Sequence, residues 1–218
     1  MKNTLRPWTA LAAFVFALSA CSNLERSRDM GNPNISGTTM AQQVCANCHG
    51  QDGNSKSPKF PKLAAQQKDY LIKQLSNFKG HERSDPLAPE LMWGMSRHLS
   101  TSQIEELSEY FSRQSFVSPS TPFSASLSEG QLIYEEGIPT QFAPPCMSCH
   151  GKDAQGMGVF PRLQGQHQDY LMKQLLVFSE TDLRPNTPMT QVTHQLSREQ
   201  MKSVAHYLSS MPIAAQGR

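Results

Sequence analysis

The chain has 218 residues, 38% of them apolar, and its mean hydropathy is negative. That is lean for a length that fits one large domain or two small ones, and it points to a bulky non-protein component in the core. Lys and Arg number 20 against 18 Asp and Glu, with no basic run; such a surface is a poor match to nucleic acid, where phosphate neutralisation dominates binding.

Lys2 and Arg6 form a short basic start, followed by an apolar run from Trp8 to Leu18. The run is too short for a hydrocarbon layer of about 30 Å but suits the core of a secretory signal, and no stretch of about 18 apolar residues predicts a spanning helix. Residues 1–20 are expected to be removed as a signal peptide, leaving 18 charges of each sign. Leu18-Ser19-Ala20-Cys21 closes the segment and resembles the bacterial lipoprotein box. The resemblance implies cleavage before Cys21 and lipidation of that residue, hence a periplasmic protein tethered to a membrane surface. A plain signal peptide followed by a chance cysteine is the alternative. Residues 21–37 are rich in Ser, Asn, Gly and Arg and are expected to act as a flexible tether.

The other four cysteines form Cys45-Ala46-Asn47-Cys48-His49 and Cys146-Met147-Ser148-Cys149-His150. CxxCH is the attachment motif of c-type haem: each thiol adds to one vinyl group, and the adjacent His supplies an axial nitrogen to the iron. The competing chemistries fit less well. A shared zinc site would have to join pairs far apart in sequence, each with its own His. A thioredoxin-like pair calls for a strand-rich surrounding, and a disulfide gives no reason for the His. Two haem c groups are expected, bound by Cys45, Cys48, Cys146 and Cys149, with His49 and His150 on the irons.

The motifs head two copies of one unit. Phe60-Pro61-Lys62-Leu63 matches Phe160-Pro161-Arg162-Leu163, and Asp69-Tyr70-Leu71-Ile72-Lys73-Gln74-Leu75 matches Asp169-Tyr170-Leu171-Met172-Lys173-Gln174-Leu175. Domains are expected at 38–115 and 127–218, joined by a Ser/Pro-rich linker at 116–126. Helical periodicity runs through both. Tyr70, Leu71, Leu75 and Phe78 make an apolar stripe that carries a polar Gln74. Ser100 with Gln103, and Ser197 with Gln200, have capping-box spacing ahead of the last helix of each unit. A short helix is expected over 128–136, with a brief equivalent near 39–44.

The far side of each iron decides between a carrier and a reactive centre. Met92 lies seven residues before Leu99 and Met189 seven before Leu196, so the two are equivalent. Each follows a proline closely, which predicts a rigid loop. Met95 is the rival in the first copy, but Val192 stands in its place in the second and cannot ligate. His81, His98, His167, His194 and His206 have no His at the matching repeat position and are expected to be ordinary surface or supporting residues.

Together these segments resemble the cytochrome c4 family over residues 38–213. The resemblance implies an all-α fold of two tandem class I cytochrome c-like domains, each wrapped around one covalent haem, packed so that the haems lie close. It implies Met92 and Met189 as distal ligands. It also implies that Pro61 and Pro161 offer their carbonyls to the proximal histidines, which orients the ring and raises its basicity. The expected role is an electron carrier, not an enzyme, in a bacterial respiratory chain delivering to a terminal oxidase. The alternatives are an electron-transfer subunit of a dehydrogenase or oxidase complex and, less favoured, a dihaem peroxidase.

Overall fold

The computed structural model describes residues 28–86, 89–117 and 129–211. The signal segment 1–20, Cys21 and most of the linker expected at 116–126 lie outside them. The first domain opens with α1 (Gly37–Met40), where the Ser36 hydroxyl accepts the Thr39 amide. The chain continues through a π-type turn (Ala41–Cys45) into α2 (Ala46–His49), which Gly50 stops at φ +81°. Then come α3 (Lys68–Lys79), a second π-type turn (Pro89–Trp93), α4 (Gly94–Ser96) and α5 (Thr101–Ser112). The second domain repeats the order with α6 (Glu129–Glu136), a 3-10 turn (Pro139–Gln141), α7 (Met147–His150), α8 (Gln168–Glu180), α9 (Met189–Thr193) and α10 (Arg198–Ser210). No strand is present among the described residues, in line with the all-α expectation.

The helix starts follow from local chemistry. Ser100 accepts the Gln103 amide while the Gln103 side chain accepts the Ser100 amide, and Ser197 with Gln200 does the same. Each box satisfies two orphan donors at the head of the last helix. The methionine segments depart from expectation. Met92 and Met189 sit in short helical turns rather than loops, because the prolines stand where a helix begins. There a fixed φ and a missing N–H cost nothing.

Within each domain the first and last helices cross at a glycine. A Cβ on Gly37 would lie 2.6 Å from Glu106 Cβ and 2.7 Å from the Leu107 nitrogen. At Gly130 it would lie 2.1 Å from the Ser203 carbonyl oxygen. Intrinsic propensity favours Ala over Gly in a helix by about 1 kcal/mol. Here the obstacle is backbone that cannot swing aside, so Gly130→Ala is expected to destabilise at the upper end of the roughly 1–3 kcal/mol typical of overpacking. Denaturant unfolding of the haem-loaded protein checks this; a variant as stable as the parent would contradict the close crossing.

Residues 28–37, the later part of the stretch read as a tether, lie on the first domain. Met30 and Ile35 pack against its core, and Gln103 Nε2 donates to the carbonyls of Asn32 and Ile35, both at 2.9 Å. The apolar cores are separate. One gathers Met40, Leu71, Leu99, Ile104, Leu107 and Phe111; the other is centred on Tyr134, Met201, Val204, Tyr207 and Leu208.

The contact between domains is polar and buried. Gln74 and Gln174, the odd polar residues on their apolar stripes, meet across it. Gln74 Oε1 accepts from Arg83 at 2.7 Å and from Arg184 at 2.9 Å. Gln174 Oε1 likewise accepts from Arg83 at 3.1 Å and from Arg184. Each guanidinium also lies over a phenylalanine of its own domain, Arg83 over Phe78 at 4.5 Å and Arg184 over Phe178 at 4.4 Å. A carboxylate, Asp85, completes the cluster. Phe116, where the chain leaves the first domain, lies beneath Lys62 and Arg162.

Candidate functional site

Both CxxCH motifs fold as one tight helical turn that ends on a glycine with positive φ, Gly50 or Gly151. The turn places the second Cys and the His next to each other while the first Cys precedes them by one turn. Cys45, Cys48, Cys146 and Cys149 are all unpaired thiols. Burial pushes the Cys45 and Cys146 thiols up to about 11.

The histidines are nearly out of solvent, His49 at 7% and His150 at 6% exposure. His49 Nδ1 donates to the Pro61 carbonyl at 2.9 Å, and His150 Nδ1 donates to the Pro161 carbonyl at 3.0 Å. A carbonyl can only accept, so the proton is on Nδ1 and the lone pair on Nε2. Burial lowers both imidazole pKa values and outweighs the opposing hydrogen bond to the proline carbonyl, which keeps the rings neutral. A neutral ring with Nδ1 engaged and Nε2 available is what a metal-ligating histidine needs. Phe60 and Phe160 meet these rings edge-on, with centroids 6.1 and 6.3 Å away. The structure thus brings together the cysteines, histidines and prolines expected from the sequence.

The methionines are placed less fully. Met92 and Met189 are both half-buried, whereas Met95 is 41% exposed. Trp93 braces the first methionine segment, its ring tilted against His81 with centroids 4.8 Å apart and Arg97 over it at 4.8 Å. The second copy has no Trp there and instead anchors its turn by a Thr193 hydroxyl donating to the Met189 carbonyl at 2.8 Å.

Each site offers a porphyrin two thiols and one basic nitrogen. Among the described residues two buried guanidiniums stand against one buried carboxylate. Arg83 is balanced by Asp85, but Arg162, pulled down to about 10 by burial, bonds only carbonyl oxygens, and its Nε has no partner. No cluster of three His, Cys, Asp or Glu side chains, as a bare metal site would need, occurs among the described residues.

Sequence reading missed the residues that join the two sites. Arg83, Asp85 and Arg184 gave no motif, and Gln66 and Gln166 were not singled out. The signal available was the repeated glutamine on an otherwise apolar helix face.

The profile of the cytochrome c family matches twice, at residues 35–114 and 128–212. The chain is 35% identical to cytochrome c4 of Thiocapsa roseopersicina over 191 residues, spanning 84% of this chain and 94% of that one. It is 30% identical to the thiosulfate dehydrogenase electron acceptor of Thiomonas intermedia over 180 residues, 78% of this chain and 79% of the relative. The solved structure of Acidithiobacillus ferrooxidans cytochrome c4 superposes with a TM-score of 0.71 at 40% identity, covering 76% of this chain and 98% of that one. With the haem motif, the fold and the family match each present twice, the chain belongs to the cytochrome c family, among the cytochrome c4 proteins, and is a carrier of electrons on two c-type haems.

Proposed function

We propose that the protein passes single electrons along an exported respiratory chain to a terminal oxidase, from a membrane surface to which lipid on Cys21 holds it in the periplasm. Haem iron supplies the one-electron Fe(III)/Fe(II) chemistry. The protein's part is ligation and enclosure. Cys45, Cys48, Cys146 and Cys149 bind the porphyrins covalently, and His49 and His150 ligate through Nε2. Met92 and Met189 close the far faces, raising the potential and leaving no position for a substrate. The observation that carries this reading is that each half holds a buried neutral histidine with Nδ1 engaged by a proline carbonyl.

A second reading is supported by the Thiomonas relative, whose name makes it the electron acceptor of thiosulfate dehydrogenase. On that reading the protein is the electron-accepting arm of a dehydrogenase.

A spectroscopic redox titration of the mature, membrane-extracted protein tests the proposal. Two haems per chain, both six-coordinate in both oxidation states and inert to carbon monoxide, are expected. One haem per chain, or rapid carbon monoxide binding, would overturn it. Mass spectrometry of the same material should find acylated Cys21 at the N-terminus. Rapid mixing with oxidase-containing membranes or with a thiosulfate dehydrogenase distinguishes the two destinations.

A further inference from the structure

The peptide unit that receives each histidine proton is itself held by the opposite domain. The Pro61 carbonyl accepts from His49, and the N–H of the same peptide, on Lys62, donates to Gln166 Oε1 at 2.8 Å. Gln166 Nε2 donates in turn to the Lys62 carbonyl at 3.0 Å. The mirror arrangement holds in the other direction. The Pro161 carbonyl accepts from His150, the Arg162 N–H donates to Gln66 Oε1 at 2.6 Å, and Gln66 Nε2 donates to the Arg162 carbonyl at 3.0 Å.

Both glutamines are fixed. Gln66 is 4% exposed and Gln166 3%. Each Oε1 also accepts the amide of the following residue, Gln67 at 2.9 Å and His167 at 3.1 Å. The residue before each glutamine is left-handed, Ala65 at φ +51° and Gly165 at φ +62°. Their amides are pinned to the last helix of their own domain, Ala65 to the Phe111 carbonyl at 3.1 Å and Gly165 to the Leu208 carbonyl at 2.8 Å. Alanine rarely accepts that conformation, so the turn at Ala65 is held against a local cost.

Hydrogen bonds in series through one peptide group reinforce each other. An acceptor on the N–H polarises the amide and makes its carbonyl a stronger acceptor. A stronger bond to Nδ1–H makes the imidazole a better donor to iron. We infer that Gln66 and Gln166 are crossed positioning residues, each setting the proximal-histidine bond, and so the reduction potential, of the haem in the other domain. The inference rests on the reading of His49 and His150 as iron ligands.

The test uses the haem-loaded full chain. In Gln66→Met, the His150 Nδ1–H resonance of the reduced protein should shift, and the second haem should move towards Fe(II). The expected change is about fivefold in its redox equilibrium, the size of one weakened hydrogen bond. The first haem should stay in place. Gln166→Met should do the converse, moving His49 and the first haem alone. Gln66→Asn keeps the amide but withdraws it by one methylene; it serves if the Met variant fails to mature, with the same crossed shift required. A change confined to the haem of the mutated domain, equal changes in both, or none would overturn the inference, because a glutamine that merely glued the domains would act on both haems or neither. The wild-type spectrum tests the ligand reading separately. If another residue occupies the proximal position, that reading fails before any variant is made.

Discussion

Asp85→Ala is expected to cost about 3–5 kcal/mol, the loss typical of removing one partner from a buried ion pair. Asp85 is fully buried, and Arg83 is 4% exposed. The carboxylate accepts Arg83 Nε at 2.6 Å and the Gln174 amide at 3.1 Å. Without it Arg83 and Arg184 share the interface with only neutral partners, the glutamine oxygens and Tyr170. Asp85→Asn separates the two contributions, since it keeps an acceptor for Arg83 but removes the charge. Denaturant unfolding of the haem-loaded variants is the measurement, and an Asp85→Ala protein within about 0.5 kcal/mol of the parent would show that the pair is not structural. The same group sets an acid limit. Burial pushes the Asp85 carboxyl up, but the Arg83 guanidinium beside it, helped by Gln174 and Arg184, outweighs this and holds it below the usual carboxylate range. A depressed folded value means that the stabilisation is complete above the unfolded carboxyl pKa of about 3.9 and fades as pH falls through the folded value. Domain docking should therefore be insensitive to pH near neutrality and should loosen only in strong acid.

The methionine assignment makes the other large prediction. Met189→Ala is expected to open the distal face of the second haem. Its ferrous form should bind carbon monoxide at one haem of the two, and its potential should fall by on the order of 0.1 V, within the roughly 0.8 V that axial ligation spans. Met92→Ala should do the same to the first haem. Met95→Ala should leave both closed, in keeping with the 41% exposure of that side chain. Carbon monoxide binding in Met95→Ala but not in Met92→Ala would transfer the ligand to Met95.

What the sequence made legible was chemistry carried by neighbours in the chain. The CxxCH turns, the capping boxes at Ser100 and Ser197, and the prolines 12 and 11 residues beyond their histidines all act at short range or through a repeated register. The interface was not legible. Gln66 meets Arg162 across 96 residues and Gln74 meets Arg184 across 110, and neither amide differs in composition from a solvated surface glutamine. The glycine crossings were hidden for a related reason: a missing side chain has meaning only once the facing backbone is known. The methionine turns were misjudged as loops because a proline was weighed as a helix breaker, whereas Pro89 opens its turn and Pro188 caps the next, positions where a missing N–H costs nothing.

Gln103 has a second duty that Gln200 lacks among the described residues. It closes the cap of α5 and also grips the carbonyls of Asn32 and Ile35. A mechanical load drawn along the N-terminal segment would therefore arrive at the first turn of α5. Peeling that segment off and fraying α5 become a single event, so this side chain couples the hold on the N-terminus to the last helix of the first domain.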